Sequence, residues 1–548
     1  MPSFTRPPCD EGVIRTADRE TRGAPPSARP WVLAATILGS SIAFIDGSVV
    51  GVALPVMQAE LGTTVRGAQW IVNGYLLMLG ALILVGGAAG DRFGRRRVFV
   101  AGLTLFASAS VGCGLAPNVG TLVAMRALQG VGGAMLVPSS LAIISAAFPE
   151  EERGRAIGTW AGFSALTTAF GPVLGGWLVD AWSWRVIFFI NVPLAAAAVA
   201  ISRAHVPESR AAGAGPVDWP GGLLAIGGLA GLAYGLTAAS EHDWSDPAVW
   251  GPLAVGVLVS CAFVAHEARA AAPMMPLALF RSRAFSGTNG MTLLLYFALN
   301  GALFFLPFNL IRVQGYSAAL AGAALLPFSL IMGGLSRWAG GLVERYGARM
   351  PLLIGPVTVA AGLVLLAVPG IGGSYWTTFF PATVVLGLGV TVSVAPLTTT
   401  VMSAVDESHA GVASGINNAV ARVAGLLAVA LLGAIAVGAF GAAIDERAAA
   451  LEVPAEQRRA LEEQAPRLAE AAVPPEITGA ERDRIARVLD ESFVRSFRIV
   501  MLIAAGFALA STACAWATID PRAPPATGQT LRGASTVKPA AARCPPPP

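Results

Sequence analysis

From Trp31 onward, apolar stretches of about twenty residues recur along the chain. Each is long enough to cross a hydrocarbon core of roughly 30 Å at about 1.5 Å per helical residue. Fourteen can be read, over 31–57, 70–90, 98–116, 121–147, 156–179, 185–203, 219–239, 248–266, 285–310, 318–338, 350–369, 376–402, 412–438 and 498–517. Lipid offers backbone N–H and C=O groups no partners, so a spanning segment must satisfy them internally as a helix. Barrel strands would instead alternate polar and apolar side chains over about ten residues. Only 13% of the 548 residues are charged, where a soluble domain carries about 25%. The expected fold class is an all-α integral membrane protein with fourteen transmembrane helices, which excludes a water-soluble enzyme or binding module.

Basic residues in short loops stay on the cytoplasmic side of a membrane. One alternate set of loops holds Arg92, Arg95, Arg96, Arg97, Arg153, Arg155, Arg203, Arg210, Arg269, Arg281, Arg283, Arg345 and Arg349, and the other holds Arg66, Arg185 and Arg312. Both termini are therefore expected in the cytoplasm, in a multi-pass protein of the cell membrane. The net charge of +4 is dispersed in these clusters and forms no single basic face, so no nucleic-acid partner is expected. Residues 1–30 carry charges and prolines without a secretory apolar core and read as a disordered cytoplasmic leader. Residues 518–548, rich in Pro and Ala, read as a disordered cytoplasmic tail. The long extracytoplasmic loop 441–495 is crowded with Glu and Arg; it reads as a solvated helical cap, with a part in gating or substrate entry as the alternative. Cys9, Cys113, Cys261, Cys514 and Cys544 are too scattered for a disulfide framework or a metal site.

An internal repeat dictates the architecture. Gly87-x-x-x-Asp91-Arg92-x-Gly94-Arg95-Arg96 follows the second stretch, and Gly340-x-x-x-Glu344-Arg345-x-Gly347-x-Arg349 follows the tenth. A plain six-helix duplication would put the second copy after the eighth. The offset of eight implies two inserted helices, giving an N-terminal six-helix bundle over 31–203, an insert over 219–266 and a C-terminal six-helix bundle over 285–517.

On these residues the chain resembles the major facilitator superfamily, in its fourteen-helix drug:proton antiporter branch, over about 31–517. The loop motif Gly87, Asp91, Arg92, Gly94, Arg95 and Arg96 matches that family's conformational switch. Physically, Gly87 permits close helix approach, Asp91 can meet the positive N-terminus of a helix from the other bundle, and the arginines anchor the cytoplasmic face. On the fourth helix, Leu122-x-x-x-Arg126-x-x-Gln129-Gly130-x-Gly132-Gly133-Ala134 also matches, and the family links this arginine to proton transfer. Inserting an arginine near the membrane centre costs roughly 2.5–3.5 kcal/mol, so Arg126 should face a polar partner or cavity. A structural pair, or snorkelling to the helix end, is the other reading.

Asp46, in Ile45-Asp46-Gly47-Ser48-Val49-Val50-Gly51-Val52-Ala53-Leu54-Pro55, falls near mid-membrane. Burial there opposes the charged carboxylate while a cation such as Arg126 favours it, and that opposition can tune a proton site. The resemblance implies proton coupling or recognition of a cationic substrate for Asp46; a structural pair or helix cap remains open. Gly51 stands where the family usually has Asn. The antiporter motif of exporting members is matched by Gly162, Gly171, Pro172, Gly175 and Gly176 on the fifth helix, where Pro removes a backbone donor and Gly permits a close, kinked seam. Trp182-Ser183-Trp184-Arg185-x-x-Phe188-Phe189-x-Asn191-x-Pro193 is similar to the fourteen-helix branch as well.

Family architecture puts the substrate site at the midplane between the bundles. Candidates by polarity are Asn73, Tyr75, Gln129, Asn300, Asn309, Asn417 and Asn418, with Phe304, Phe305 and Phe308 as an aromatic surface; each amide can equally be interhelical glue. Arg422 shares the thirteenth helix with the asparagine pair. His205, His242, His266 and His409 lie in loops or at helix ends without metal spacing, and no Gly-x-x-x-x-Gly-Lys-Ser/Thr phosphate loop occurs. No metal, cofactor or enzymatic activity is expected. The proton gradient would supply the energy, a small molecule and protons would be the partners in the bilayer, and a monomer would suffice. The resemblance implies proton-coupled export of drug-like or antibiotic molecules; an exporter or importer dedicated to a single metabolite is the alternative.

Overall fold

The computed structural model describes residues 24–211, 215–405, 410–450 and 478–519, with Leu461, 464–471 and Val473 between the last two segments. The leader before residue 24, the tail beyond Ile519 and the middle of the stretch 441–495 lie outside the described residues. Fourteen helices are long and apolar enough to span a membrane, in the predicted order. They are α1 (Arg29–Glu60), α2 (Val65–Phe93), α3 (Arg95–Gly114), α4 (Val119–Ala147), α5 (Glu150–Ala181), α6 (Val186–His205, broken at Ile190), α7 (Trp219–Ala238) and α8 (Pro247–Glu267). After these come α9 (Arg283–Val313), α10 (Ala318–Ala323 and Leu326–Gly340), α11 (Arg349–Ala367), α12 (Phe379–Ser403), α13 (Ala410–Ala450) and α14 (Gly479–Thr518).

Polar residues set the helix starts. Asn118, Ser282 and Ser317 accept from the Thr121, Phe285 and Leu320 amides, so each places a side-chain oxygen where the first turn leaves N–H groups without partners. The repeated loop motif turns its corner on glycine in both copies. Gly94 has φ +113° and Gly347 φ +74°, values that side chains rarely tolerate.

The helix contacts themselves repeat. Within the first six helices α1 packs on α5 and α6, α2 on α4, and α3 on α4 and α6; within the last six, α9 packs on α13 and α14, α10 on α12, and α11 on α12 and α14. Every pair recurs eight helices later. The two sets meet where α2 lies along α13 and where α5 crosses α10. α7 and α8 pair with each other, and α7 leans on α2 and α13.

The stretch 441–495 is less of a separate loop than the sequence suggests. α13 continues unbroken to Ala450 and α14 begins at Gly479, and the projecting turns are tied by Arg447–Glu491 at 3.3 Å and by Arg495–Glu446. Between them the short turn Ala465–Glu470 docks on α1, where Gln58 Nε2 donates to the Arg467 carbonyl at 2.9 Å.

Candidate functional site

Asp46 and Arg126 meet inside the first six helices, each with a side chain only 1% exposed. Arg126 donates to Asp46 Oδ2, to Gln129 Oε1 at 2.8 Å and, from Nε, to the Ile71 carbonyl at 3.1 Å. The other carboxylate oxygen of Asp46 accepts from Gln129 Nε2 at 3.2 Å and from Asn191 Nδ2 at 3.3 Å. Ser110 Oγ accepts from both amides, at 2.7 and 3.3 Å, and Cys113 donates its thiol to Gln129 Oε1 at 3.3 Å. The guanidinium lies 4.4 Å from the centre of the Tyr75 ring, a cation–π contact that adds to the charge pairing.

Five helices converge on this network, and the sequence explains the convergence. Asp46 and Arg126 stand alone as charges in long apolar runs of α1 and α4, and in such surroundings an ion persists only when it is paired and hydrogen-bonded. Arg126 does not snorkel to its helix end. Ser110, Cys113 and Asn191 complete the shell without having been singled out for it, because hydroxyl, thiol and amide groups are common in membrane helices. Asn191 did lie in the branch-type motif after α5, as did Phe188, whose ring is 5.9 Å from the Arg126 guanidinium.

The antiporter motif forms the seam beside this network. A Cβ on Gly171 would collide with Ser48, and one on Gly175 would lie 2.6 Å from Val49, so α5 lies directly on α1 just after Asp46. A Cβ on Gly176 would strike the Ala318 carbonyl, and one on Gly322 the Pro172 carbonyl, so α5 and α10 touch backbone to backbone. Asp180 closes that end, accepting from the Ala318 and Ala319 amides at 3.1 and 2.8 Å. Toward the opposite end the same seam parts. Among the described residues Gly162 has no atom within 4 Å of where its Cβ would sit, Gly334 and Gly340 on α10 are equally open, and Phe163, Leu166, Phe170, Leu330 and Trp338 are exposed. The open end is the one that carries the start of α1 and the end of α14.

The loop motif is folded on its own side of the protein. Asp91 accepts from Arg95 Nε at 2.9 Å. The helix of the other bundle that lies along α2 is α13, and the residues before its N-terminus, 406–409, lie outside the described residues, as does the expected contact with Asp91. Arg92 donates to the Gly215 carbonyl at 3.2 Å, and Arg96 to the Val206 carbonyl at 3.0 Å, so the linker after α6 runs beneath the motif. Glu208 on that linker covers Gly94 and accepts from the Arg96 amide at 3.1 Å. A Cβ on Gly87 would lie 3.5 Å from Pro138, but the tightest approach belongs to its neighbour Gly86, where a Cβ would strike the Ala134 carbonyl.

The polar candidates for a substrate cavity are spread through the protein. Tyr75 and Gln129 belong to the Asp46 network. Asn73 is fully buried with both side-chain atoms unpartnered. Asn300 donates to the Tyr296 carbonyl at 2.8 Å, Asn309 accepts from Gln314 at 3.3 Å, Asn417 donates to Thr292 at 2.6 Å, and Asn418 donates to the Ser414 carbonyl at 3.2 Å. Phe304, Phe305 and Phe308 are packed in the core. An apolar cavity of about 340 Å³ opens instead between α2, α7, α8, α9 and α13. Of the histidines, His205 stacks on Trp31 and His242 pairs with Asp246, but His266 is no bland surface residue: its Nε2 lies 2.9 Å from buried Asp218. His409 lies outside the described residues.

Residues 36–429 match the model of the Major Facilitator Superfamily. The chain is 34% identical over 529 residues to the tetracenomycin C resistance and export protein of Streptomyces glaucescens, covering 94% of this chain and 96% of that one. It is 34% identical over 483 residues to a multidrug resistance protein of Mycobacterium tuberculosis, covering 86% and 88%, and 36% identical over 422 residues to the puromycin resistance protein of Streptomyces alboniger, covering 76% and 84%. Among solved structures, a bacterial homologue of the human lysosomal transporter Spinster, inward-facing and occupied, superposes with a TM-score of 0.65 over 90% of this chain and 97% of that one. At 16% identity that likeness is one of fold.

Proposed function

This chain belongs to the Major Facilitator Superfamily, a family of transporters and not of enzymes, and we propose that it exports drug-like or antibiotic small molecules across the cytoplasmic membrane by alternating access, in antiport with protons. The observation that carries the reading is the buried Asp46–Arg126 pair lying directly beside a seam that is closed at one end and open at the other. A proton arriving at Asp46 removes the charge that neutralises Arg126, so the guanidinium must find other partners. α1, which carries Asp46, is in backbone-close contact with the α5 seam, and a change at one is therefore felt at the other. The relatives' names, resistance and export proteins among them, support the outward direction.

The remaining parts follow from this reading. Two six-helix bundles flank a two-helix insert, the arginine-rich loops and both termini lie in the cytoplasm, and the seam is open inward to receive cargo. One polypeptide provides both bundles, so a monomer suffices. No cofactor takes part; a charge falling through ~100 mV releases about 2.3 kcal/mol, enough for a concentration ratio of nearly fifty. The decisive experiment is Asp46→Asn in inside-out vesicles: proton-driven accumulation should vanish while the protein stays folded in the membrane, and undiminished accumulation would reject the assignment. Several relatives are named for one antibiotic, which favours as second reading an exporter dedicated to a single metabolite. A resistance panel in a pump-deficient host, with and without a protonophore, separates a broad range from one compound.

A further inference from the structure

Arg126 is neutralised by Asp46, but Arg422, which also stands within a spanning helix, is not. Among the described residues no carboxylate pairs with Arg422 and nothing accepts a hydrogen bond from it, and its Nε is buried without a partner. It sits where the two six-helix sets meet. Its Cβ is 3.2 Å from the place a Cβ would take on Gly80 of α2. Tyr75 on α2 and Tyr296 on α9 both lie within reach of its charge. Asn300, one turn beyond Tyr296, packs against Gly425, one turn along α13 from Arg422.

An uncompensated guanidinium inside a membrane protein is retained where it faces water or an ion of opposite sign. Its planar fork matches carboxylates and related acids in two parallel hydrogen bonds. The neighbouring apolar cavity supplies room for the rest of such a molecule: Gly80, which packs on Arg422, and Val423, the next residue of the chain, lie in its wall with Leu84, Leu229, Phe263 and Leu293. At about 340 Å³ it falls within the range of small-molecule sites. Asp46, the acid that would otherwise recruit a cation, is sealed by Arg126, Gln129 and Asn191.

We propose that Arg422 anchors an acidic group of the cargo, so that this exporter selects small amphipathic anions such as carboxylates, phenolates or sulfonates over cations. The proposal rests on the export reading above, and its test keeps the two apart. Two xanthene dyes of like size and opposite charge, fluorescein and tetramethylrhodamine methyl ester, are titrated with the purified full-length protein at mildly alkaline pH and followed by fluorescence anisotropy. Fluorescein should bind more tightly than the cation. Arg422→Gln should weaken fluorescein about tenfold or more, the loss of a charged hydrogen bond, and leave the cationic dye unchanged, while Arg422→Lys recovers part of the loss. A preference for the cation, no fluorescein binding, or equal weakening of both dyes by Arg422→Gln overturns the proposal. Should Arg422→Gln fail to purify in folded form, the unmodified protein's preference and Arg422→Lys decide. Transport of the same dyes into inside-out vesicles is read separately: selective binding without proton-driven transport counts against export and not against the anion anchor.

Discussion

Asn191 shows how much of the Asp46 site depends on groups that carry no charge. Its Nδ2 is one of two side-chain donors to Asp46 Oδ1, and the same nitrogen reaches Ser110. Asn191→Ala should therefore destabilise the protein by roughly 1.5–3 kcal/mol, the scale of a hydrogen bond to a charged group, and lower export in parallel. Thermal unfolding of the detergent-purified protein, run beside Ser110→Ala, checks this; the serine variant should cost less because it does not touch the carboxylate. Asp46 and Arg126 were legible in the sequence because a charge in an apolar run must be explained. Asn191 and Ser110 were not legible as its partners, since residue type alone does not separate a shell around a carboxylate from ordinary interhelical amides and hydroxyls.

The two-helix insert is fastened at one end by a cluster that only the folded chain assembles. Asp218 caps α7 by accepting from the Gly221 amide at 2.9 Å, with His266 of α8 at 2.9 Å and Glu267 beside it. Burial raises the Asp218 carboxyl, but the Gly221 amide, His266 and Glu267 outweigh it and hold the group below its ordinary value. A depressed carboxylate stabilises the fold above the unfolded-state value, about 3.9, and loses that contribution as pH falls through the folded-state value. The contribution of the Asp218 carboxylate is thus present at neutral pH and lost on the acid side. Asp218→Asn should lower the unfolding midpoint at neutral pH by an amount equivalent to about 1 kcal/mol, as for a weakened N-cap, and flatten the acid side of the stability profile. Hydrophobic length made α7 and α8 legible as spans, and the offset of the repeated loop motif placed them between the bundles. Their fastening was hidden because Asp218 and His266 are far apart in sequence and meet only when the helices pair.

At the scale of the whole molecule, the glycine seam describes one conformation, closed at Asp180 and open at Gly162 among the described residues. The repeat legible in Gly87–Arg96 and Gly340–Arg349 predicts two related bundles, and the contacts recurring eight helices apart agree with that reading. Which end is closed was not legible, because the same glycines line the seam whether it is open or shut. Here Asp180 holds the α10 start, and Asp91 pairs with its own Arg95. Cysteines replacing Asp180 and Ala319, whose side chain and amide are 2.8 Å apart, place two thiols at this closed end that a short bis-methanethiosulfonate reagent can bridge. In a background without Cys9, Cys261, Cys514 and Cys544, that bridge should stop export completely and reduction should restore it. A third cysteine at Gly162, where the seam is open among the described residues, should stay reactive to an impermeant maleimide added on the side of the open end while the bridge is closed. A bridged protein that still exports would mean that the α5–α10 seam does not part during transport.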